Sequence, residues 1–219
     1  AEFNIPPAKS AAEFSTSIGI MIDWLRKTMQ KQDLELAIQP AMTFSSAQLQ
    51  HPQAQEVGCE PDFNVWLRKI NPSPKENPQM ATLRTAAAHI HVSFLYNGKP
   101  PADIYEREPL VKALDITLGL PSILLDLDTE RRQLYGKAGS FRPKSYGIEY
   151  RVISNFWITT PYRRKWVWDG VEAAFTFLNK GKGKDFPKIF KTYAEYIQRA
   201  INTNNRKLVS ELTSMINIS

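Results

Sequence analysis

Two of the three histidines in this 219-residue chain stand one residue apart, in the stretch A-A-H-I-H-V-S-F-L-Y at 87–96. Side chains alternate along a strand, so His89, His91 and Ser93 would share one face, and Ile90, Val92, Phe94 and Tyr96 the other. A second stretch from Gly147, G-I-E-Y-R-V, alternates in the same way, with Ile148, Tyr150 and Val152 set against Glu149 and Arg151. Residues 2–5 and 34–39 also alternate, which places Glu2 with Asn4 and Glu35 with Gln39. Four such strands side by side would build one polar sheet surface. Carboxylate oxygens suit magnesium or manganese, and neutral imidazole adds a further ligand, so the chemistry expected is divalent-cation binding. Alone, an H-x-H strand is more often structural than a metal site. The pattern gains weight from what precedes the second strand.

There, residues 126–157 gather Arg131, Arg132, Lys137, Arg142, Lys144 and Arg151 around Gly136, Gly139 and Gly147. Guanidinium forks match phosphate bidentately, and glycines let the backbone approach an anion closely. An isolated charge run is usually a solvated loop. A basic loop that feeds directly into Glu149-x-Arg151 is less easily dismissed, and residues 131–145 are expected to close over nucleotide phosphates.

These residues need elements to hold them. Residues 2–5 read as a strand end closed by Pro6 and Pro7. Ser10 and Glu13 form a capping-box pair for a helix to about residue 32, with Phe14, Ile18, Met21, Ile22 and Leu25 at helical spacing. Residues 34–39 read as a strand, 45–61 as turn-rich, 71–78 as a proline loop, and 82–96 as the histidine strand. A helix is expected over 103–119 despite Pro109, a shorter one over 121–127, a loop over 129–145 and a strand over 147–157. Helices at 161–179, 187–202 and 206–216 follow, the first two joined by G-K-G-K. Strands interleave with helices without βαβ regularity, so the expected class is α+β. The sheet would be largely antiparallel, with a polar catalytic face, helices packed on its other face and a C-terminal helical segment.

At the histidine strand and the F-R-P-K-S-Y-G-I-E-Y-R-V strand, the chain resembles carboxylate–amine ligases of the glutamine synthetase-like and glutamate–cysteine ligase-like fold. More narrowly, Y-G-x-A-G-x-F-R-x-K-x-Y-G-x-E-Y-R-x-x-S-N-x-W is similar to the phage-associated type 2 carboxylate–amine ligases. The opening A-E-F-N-I-P-P-A resembles that family's second strand. The resemblance spans roughly residues 2–157. It implies ATP- and Mg-dependent (or Mn-dependent) joining of a carboxylate to an amine through an acyl phosphate. It also implies a catalytic core at 1–160 completed by C-terminal helices at 161–219. Carried over, Glu149 is a metal ligand. Glu2, with one or both of His89 and His91, supplies further metal ligands or nucleotide contacts. Arg142 and Arg151 face the phosphates or the substrate carboxylate, Arg131, Arg132 and Lys137 join the nucleotide site, and Glu60 touches the amine substrate. The family's earlier acidic strand has no counterpart here, so an upstream segment is expected.

Composition bounds the rest. Hydrophobic residues at 42% and charged residues at 23% are globular values, and no apolar run reaches the length of a membrane helix. The opening residues are not a signal peptide, and Cys59 as the single cysteine excludes an internal disulfide, which fits a reducing cytoplasm. The resemblance implies small-molecule or peptide acids and amines as partners, with an oligomer open. A net charge of +6 favours anionic partners without choosing among them. Two readings compete. A two-histidine metalloenzyme, a hydrolase or cupin-like oxygenase, explains H-x-H plus a glutamate but leaves the arginine-rich stretch idle. A nucleic-acid-binding module would use P-Y-R-R-K-W-V-W at 161–168, although Trp168, Val171, Phe175 and Leu178 fall at core-forming helical spacing.

Overall fold

The computed structural model describes residues 1–56, 61–74, 77–179 and 186–216. Five strands form the main antiparallel sheet, in the order β3 (Lys69–Ile70), β2 (Phe63–Asn64), β6 (Ser140–Lys144), β7 (Gly147–Tyr150), β5 (Ile90–Ser93). A two-stranded antiparallel sheet pairs β1 (Ala41–Thr43) with β4 (Leu83–Thr85). The α+β class and the antiparallel sheet are as the sequence led us to expect.

Alternation along β5 and β7 divides the main sheet. Ile90, Val92, Ile148 and Tyr150 are buried on one face together with Phe141 of β6. Against that face packs α3 (Ile104–Leu114), whose N-cap Asp103 accepts from Glu106 N, and behind α3 lie α6 (Pro161–Asn179) and α1 (Ala11–Gln30). Helix α1 starts as its sequence dictates: Ser10 Oγ accepts from Glu13 N, and Ile18, Ile22 and Leu25 turn inward. Its Phe14 stacks on Trp157, with ring centroids 5.7 Å apart. Arg164, Val167, Gly170 and Ala174 form the buried stripe of α6. The last helices, α7 (Phe186–Asn202) and α8 (Arg206–Ile216), close over α4 (Leu120–Leu125). One apolar core runs from Ile18 through Ile148 to Ile197 and Val209.

Five expected segments differ, among them 147–157, whose strand β7 stops at Tyr150. Residues 2–5 and 34–39 are extended but join neither sheet. Their apolar residues Phe3, Ile5, Leu36 and Ile38 pack on the core, so alternation reflects half-burial there without a ladder partner. Residues 82–96 are two strands rather than one. The run 86–89, three alanines and His89, has little to pack as a strand, and the chain there crosses from the small sheet to the large one. Residues 129–145, expected as a loop, contain α5 (Arg131–Leu134) and the central strand β6. Pro143 hid that strand. It is tolerated because β2 pairs only with Ser140 and Phe141, and so ends before reaching it.

Helix α3 runs into a π-helical turn, Asp115–Gly119, before α4. Asp115 is fully buried there. Its carboxylate accepts from Trp66 Nε1 at 2.5 Å and from Tyr150 OH at 2.8 Å, which ties the turn to the underside of β7.

Candidate active site

The register sets the polar face. His91 and Arg142 are the two cross-strand partners of Glu149, so all three side chains leave the sheet on the same side. Arg151 follows one alternation on from Glu149, and its N–H bonds to Ser140 O at 3.0 Å. His89 stands one alternation before His91, outside the ladder. Of the four expected polar strands, two therefore supply this face, and β6 and the start of β2 supply the rest.

Ion pairing organises it. Glu149 receives Lys144 Nζ at 2.7 Å on Oε2 and Arg151 Nη1 on Oε1. Arg151 Nε reaches Asp62 Oδ1 at 2.6 Å, and Arg142 Nε lies 3.7 Å from the same oxygen. Burial alone would raise the Glu149 carboxyl, but Lys144 and Arg151 outweigh it and hold the group down at about 2. For Asp62 burial wins over Arg151 and Arg142, and its carboxyl lies above the usual range. Burial, helped by Arg151, pushes His89 down to about 3, and burial also lowers His91 against the pull of Glu149. Both imidazoles are thus neutral near pH 7. They act as hydrogen-bonding groups rather than cations.

Several of these positions are fixed from behind. Arg107, deep in α3, donates to the carbonyls of Lys144 (3.0 Å) and Gly147 (3.0 Å), which locks the β6–β7 turn that carries Lys144 and Tyr146. Tyr146 OH lies 2.6 Å from His91 Nδ1. Gly147, at φ +155°, leaves no room for a Cβ, because the Val92 carbonyl of β5 lies against it. At Gly136 the space is taken by Arg131 and the Val152 carbonyl. These glycines serve close packing of the chain on itself, not approach to an anion.

The expected site residues separate accordingly. Glu149, Arg151, Arg142, His89 and His91 come together. Arg131 and Arg132 turn inward: Arg131 donates to the carbonyls of Val152 (3.1 Å) and Arg151 (3.2 Å), Arg132 to Gly136 O (3.1 Å) and Ser122 Oγ (2.9 Å). Both are buried braces for the chain after β7, so neither offers a free fork to phosphate. Glu2 is exposed and outside both sheets, away from a ladder position beside Glu149. Glu60 lies outside the described residues. Sequence reasoning missed Asp62, Lys144 and Tyr146. Lys144 and Tyr146 both stand in the quoted motif, whereas nothing in a lone P-D-F-N marks Asp62 as the partner of an arginine 89 positions on.

Two hollows open beside this face. A small one of about 60 Å³ is bordered by Asp62, His89, Arg131, Tyr135 and Arg151, and buried Nδ1 of His89 has no hydrogen-bond partner among the described residues. A cleft of about 160 Å³ lies on the other side of Asp62 and Tyr135, walled by residues 71–74, by Asn77 and by Gln133 to Lys137. Its Lys137 is half-buried.

Among the described residues, the expected metal finds no matching donor set: no group of three or more His, Cys, Asp or Glu side chains is arranged to hold an ion. Both oxygens of Glu149 already face cations. Among the described residues, Arg142, Lys144 and Arg151 outnumber Glu149 and Asp62, a balance that suits a carboxylate or a phosphate. In the basic segment at 161–168, Arg164 is buried and donates to Ile158 O (2.8 Å) and Ser15 O (2.9 Å), and Lys165 pairs with Asp169 at the surface. Trp166 and Trp168 are partly buried, which leaves less aromatic surface for stacking bases than the sequence offers.

Residues 85–168 match the sequence model of a family described as phage phiEco32-like COOH.NH2 ligase-type 2. That span takes in β5, β6 and β7, and so His89, His91, Arg142, Lys144, Glu149 and Arg151, but not Asp62. The resemblance to carboxylate–amine ligases read from the motifs holds over this span. Neither curated proteins nor solved structures gave a match. No helix among the described residues is long and apolar enough to cross a membrane.

Proposed function

We propose that the polar face of the main sheet binds the acid substrate and nucleotide phosphates of an ATP-dependent ligase that joins a carboxylate to an amine. The observation that carries this reading is the coincidence of the matched span with the three strands bearing the cationic face. In the proposed reaction the acid's carboxylate oxygen takes the γ-phosphoryl group and ADP leaves. The amine nitrogen then forms the C–N bond, phosphate departs with the C–O electron pair, and the amine gives up a proton.

The chain's own residues divide these tasks. Arg142 and Lys144 have side chains about a quarter and a third exposed, against 4% for Arg151, so they are the cations that can meet an incoming anion. Arg151, gripped by Glu149 and Asp62, holds their spacing and adds positive charge behind them. Such fixed donors stabilise charge that develops on the transferred group. Glu149 keeps the three cations close together despite their mutual repulsion. The two neutral histidines border the same surface and offer ring nitrogens to a neutral or anionic group. No step is assigned to a metal.

ADP release, measured over a panel of carboxylic acids and amines, tests this. At least one acid–amine pair should stimulate it, and Arg142→Met should reduce that stimulated rate by about 10²-fold or more, the scale of one lost transition-state donor. Release that no pair stimulates, or that is indifferent to Arg142→Met, contradicts the reading.

A further inference from the structure

Three donors converge on the buried Asp115 carboxylate beneath the sheet: Trp66 Nε1 at 2.5 Å on Oδ2, Tyr150 OH at 2.8 Å on Oδ1, and the backbone N–H of Gly139. A carboxylate, which only accepts, is the group that can satisfy three donors at once. The donors belong to three different pieces of the main sheet. Trp66 stands in the turn that joins β2 to β3, Gly139 immediately precedes β6, and Tyr150 is the last residue of β7. Two glycines clear the space around them. A Cβ on Gly119, in the π-helical turn, would lie 2.9 Å from Tyr150 OH, and one on Gly139 would lie 2.5 Å from Trp66 Cδ1. A π-helical turn inside a helix is an irregularity that frequently accompanies a functional site.

The polar face stands on these same pieces. Tyr150 lies between Glu149 and Arg151, and across the ladder it pairs with Phe141, the residue before Arg142. Phe141 pairs in turn with Phe63, the residue after Asp62. Neighbouring side chains leave a strand on opposite sides, so whatever holds the Tyr150–Phe141–Phe63 row from below sets the spacing of Asp62, Arg142, Glu149 and Arg151 above. Apolar burial has no preferred direction, whereas hydrogen bonds fix distance and angle. The Asp115 network supplies that directional hold.

We propose that Asp115 is a positioning residue for the cationic face: through Tyr150 and Gly139 it fixes β7 against β6, and with them the placement of Arg142 and Arg151 toward the reacting groups. The kinetic consequence rests on the ligase reading; the structural one rests on the hydrogen-bonded geometry alone. Asp115 itself touches no substrate. Its effect is on alignment, where a misplacement of about 1 Å costs up to about 10²-fold in rate. Such an effect falls on turnover rather than on nucleotide affinity, because alignment matters most in the transition state.

The test uses the full chain at pH 8, above the value of about 7 to which burial raises Asp115, with the acid–amine pair that best stimulates ADP release. Tyr150→Phe deletes one hydroxyl from the network, and Asp115→Ala deletes the carboxyl. Ile148→Ala, buried on the same side of the same strand but outside the network, is the control for lost stability. Per folded molecule, Tyr150→Phe and Asp115→Ala should lower kcat by about tenfold or more with the KM for ATP little changed, while Ile148→Ala keeps the native kcat. A native kcat in Tyr150→Phe, or an equal loss in Ile148→Ala, would overturn the proposal. If one of the two network variants does not fold, the other decides alone. If no pair elicits ADP release from the native chain, the ligase reading fails instead. Exchange of the Arg151 Nε–H, which lies 2.6 Å from Asp62 Oδ1, then decides the positioning role. Faster exchange in Tyr150→Phe than in Ile148→Ala supports it; equal exchange in the two variants removes it.

Discussion

Glu149 and Ile148 are adjacent in sequence, both are buried, and they do opposite work. Ile148 is fully buried in the core, so Ile148→Ala should cost about 2–5 kcal/mol of stability while surviving molecules keep their chemistry. Glu149→Gln removes the charge that holds Lys144 and Arg151 together, yet Arg151 keeps Asp62 and Lys144 can extend to water. Folding should therefore persist with a loss of about 1–3 kcal/mol, while ligase turnover falls by about 10²-fold or more. Denaturant melts and single-turnover assays of the two variants check this; a Glu149→Gln chain that folds and retains full turnover would refute the role given to it. The alternation that separates these two residues was legible because a strand period of two needs only local sequence. The partnership of Glu149 with Lys144 depends on a tight turn and was half legible. That of Arg151 with Asp62 depends on how the chain returns to the sheet, and was not.

At the scale of elements, the π-helical turn after α3 ties helix to sheet through one carboxyl. Burial pushes Asp115 up to about 7, against the pull of its hydrogen bonds to Trp66 and Tyr150. Between its unfolded value near 4 and its folded value, the native state keeps a proton that the unfolded chain releases. Stability contributed by this group is therefore present at low pH and lost as pH rises from about 4 to about 7, by up to about 1.4 kcal/mol per unit. Asp115→Asn retains an acceptor for Trp66 and gains a donor for Tyr150, so it should flatten the fall in Tm over that window; an unchanged pH slope would contradict this account. The glycine at the β6–β7 turn makes a second demand. Gly147→Ala would drive a methyl into the Val92 carbonyl and detach the edge strand that carries His91, so the amides of Ile90 and Val92, which face β7, should lose their slow exchange before those of β6 do. Neither the π turn nor strand β6 was legible. The apolar periodicity of 103–119 reads as helix whether its hydrogen bonds run to the fourth or the fifth residue, and Pro143 with its flanking charges imitates a loop.

For the molecule as a whole, the sequence conveyed class and motif better than topology. The α+β class followed from interleaved periods, and the motif from Gly136 to Trp157 pointed to the family whose model matches residues 85–168. The segments at 2–5 and 34–39 misled because half-burial against a core produces the same alternation as a paired strand. The basic stretch mixes two environments. Buried arginines that brace carbonyls and arginines that reach the sheet's polar face have the same spacing in sequence, and packing alone separates Arg131 and Arg132 from Arg142. The central claim is that the cationic sheet face activates a carboxylate by phosphoryl transfer before an amine takes its place. It is tested most directly by isotope transfer, in which the full chain turns over ATP with an amine panel and acids labelled with ¹⁸O in their carboxylates. The account predicts that the phosphate released carries one ¹⁸O per turnover, and that this labelled phosphate disappears in Glu149→Gln. ADP formed together with unlabelled phosphate would mean that water takes the phosphoryl group, and would contradict it.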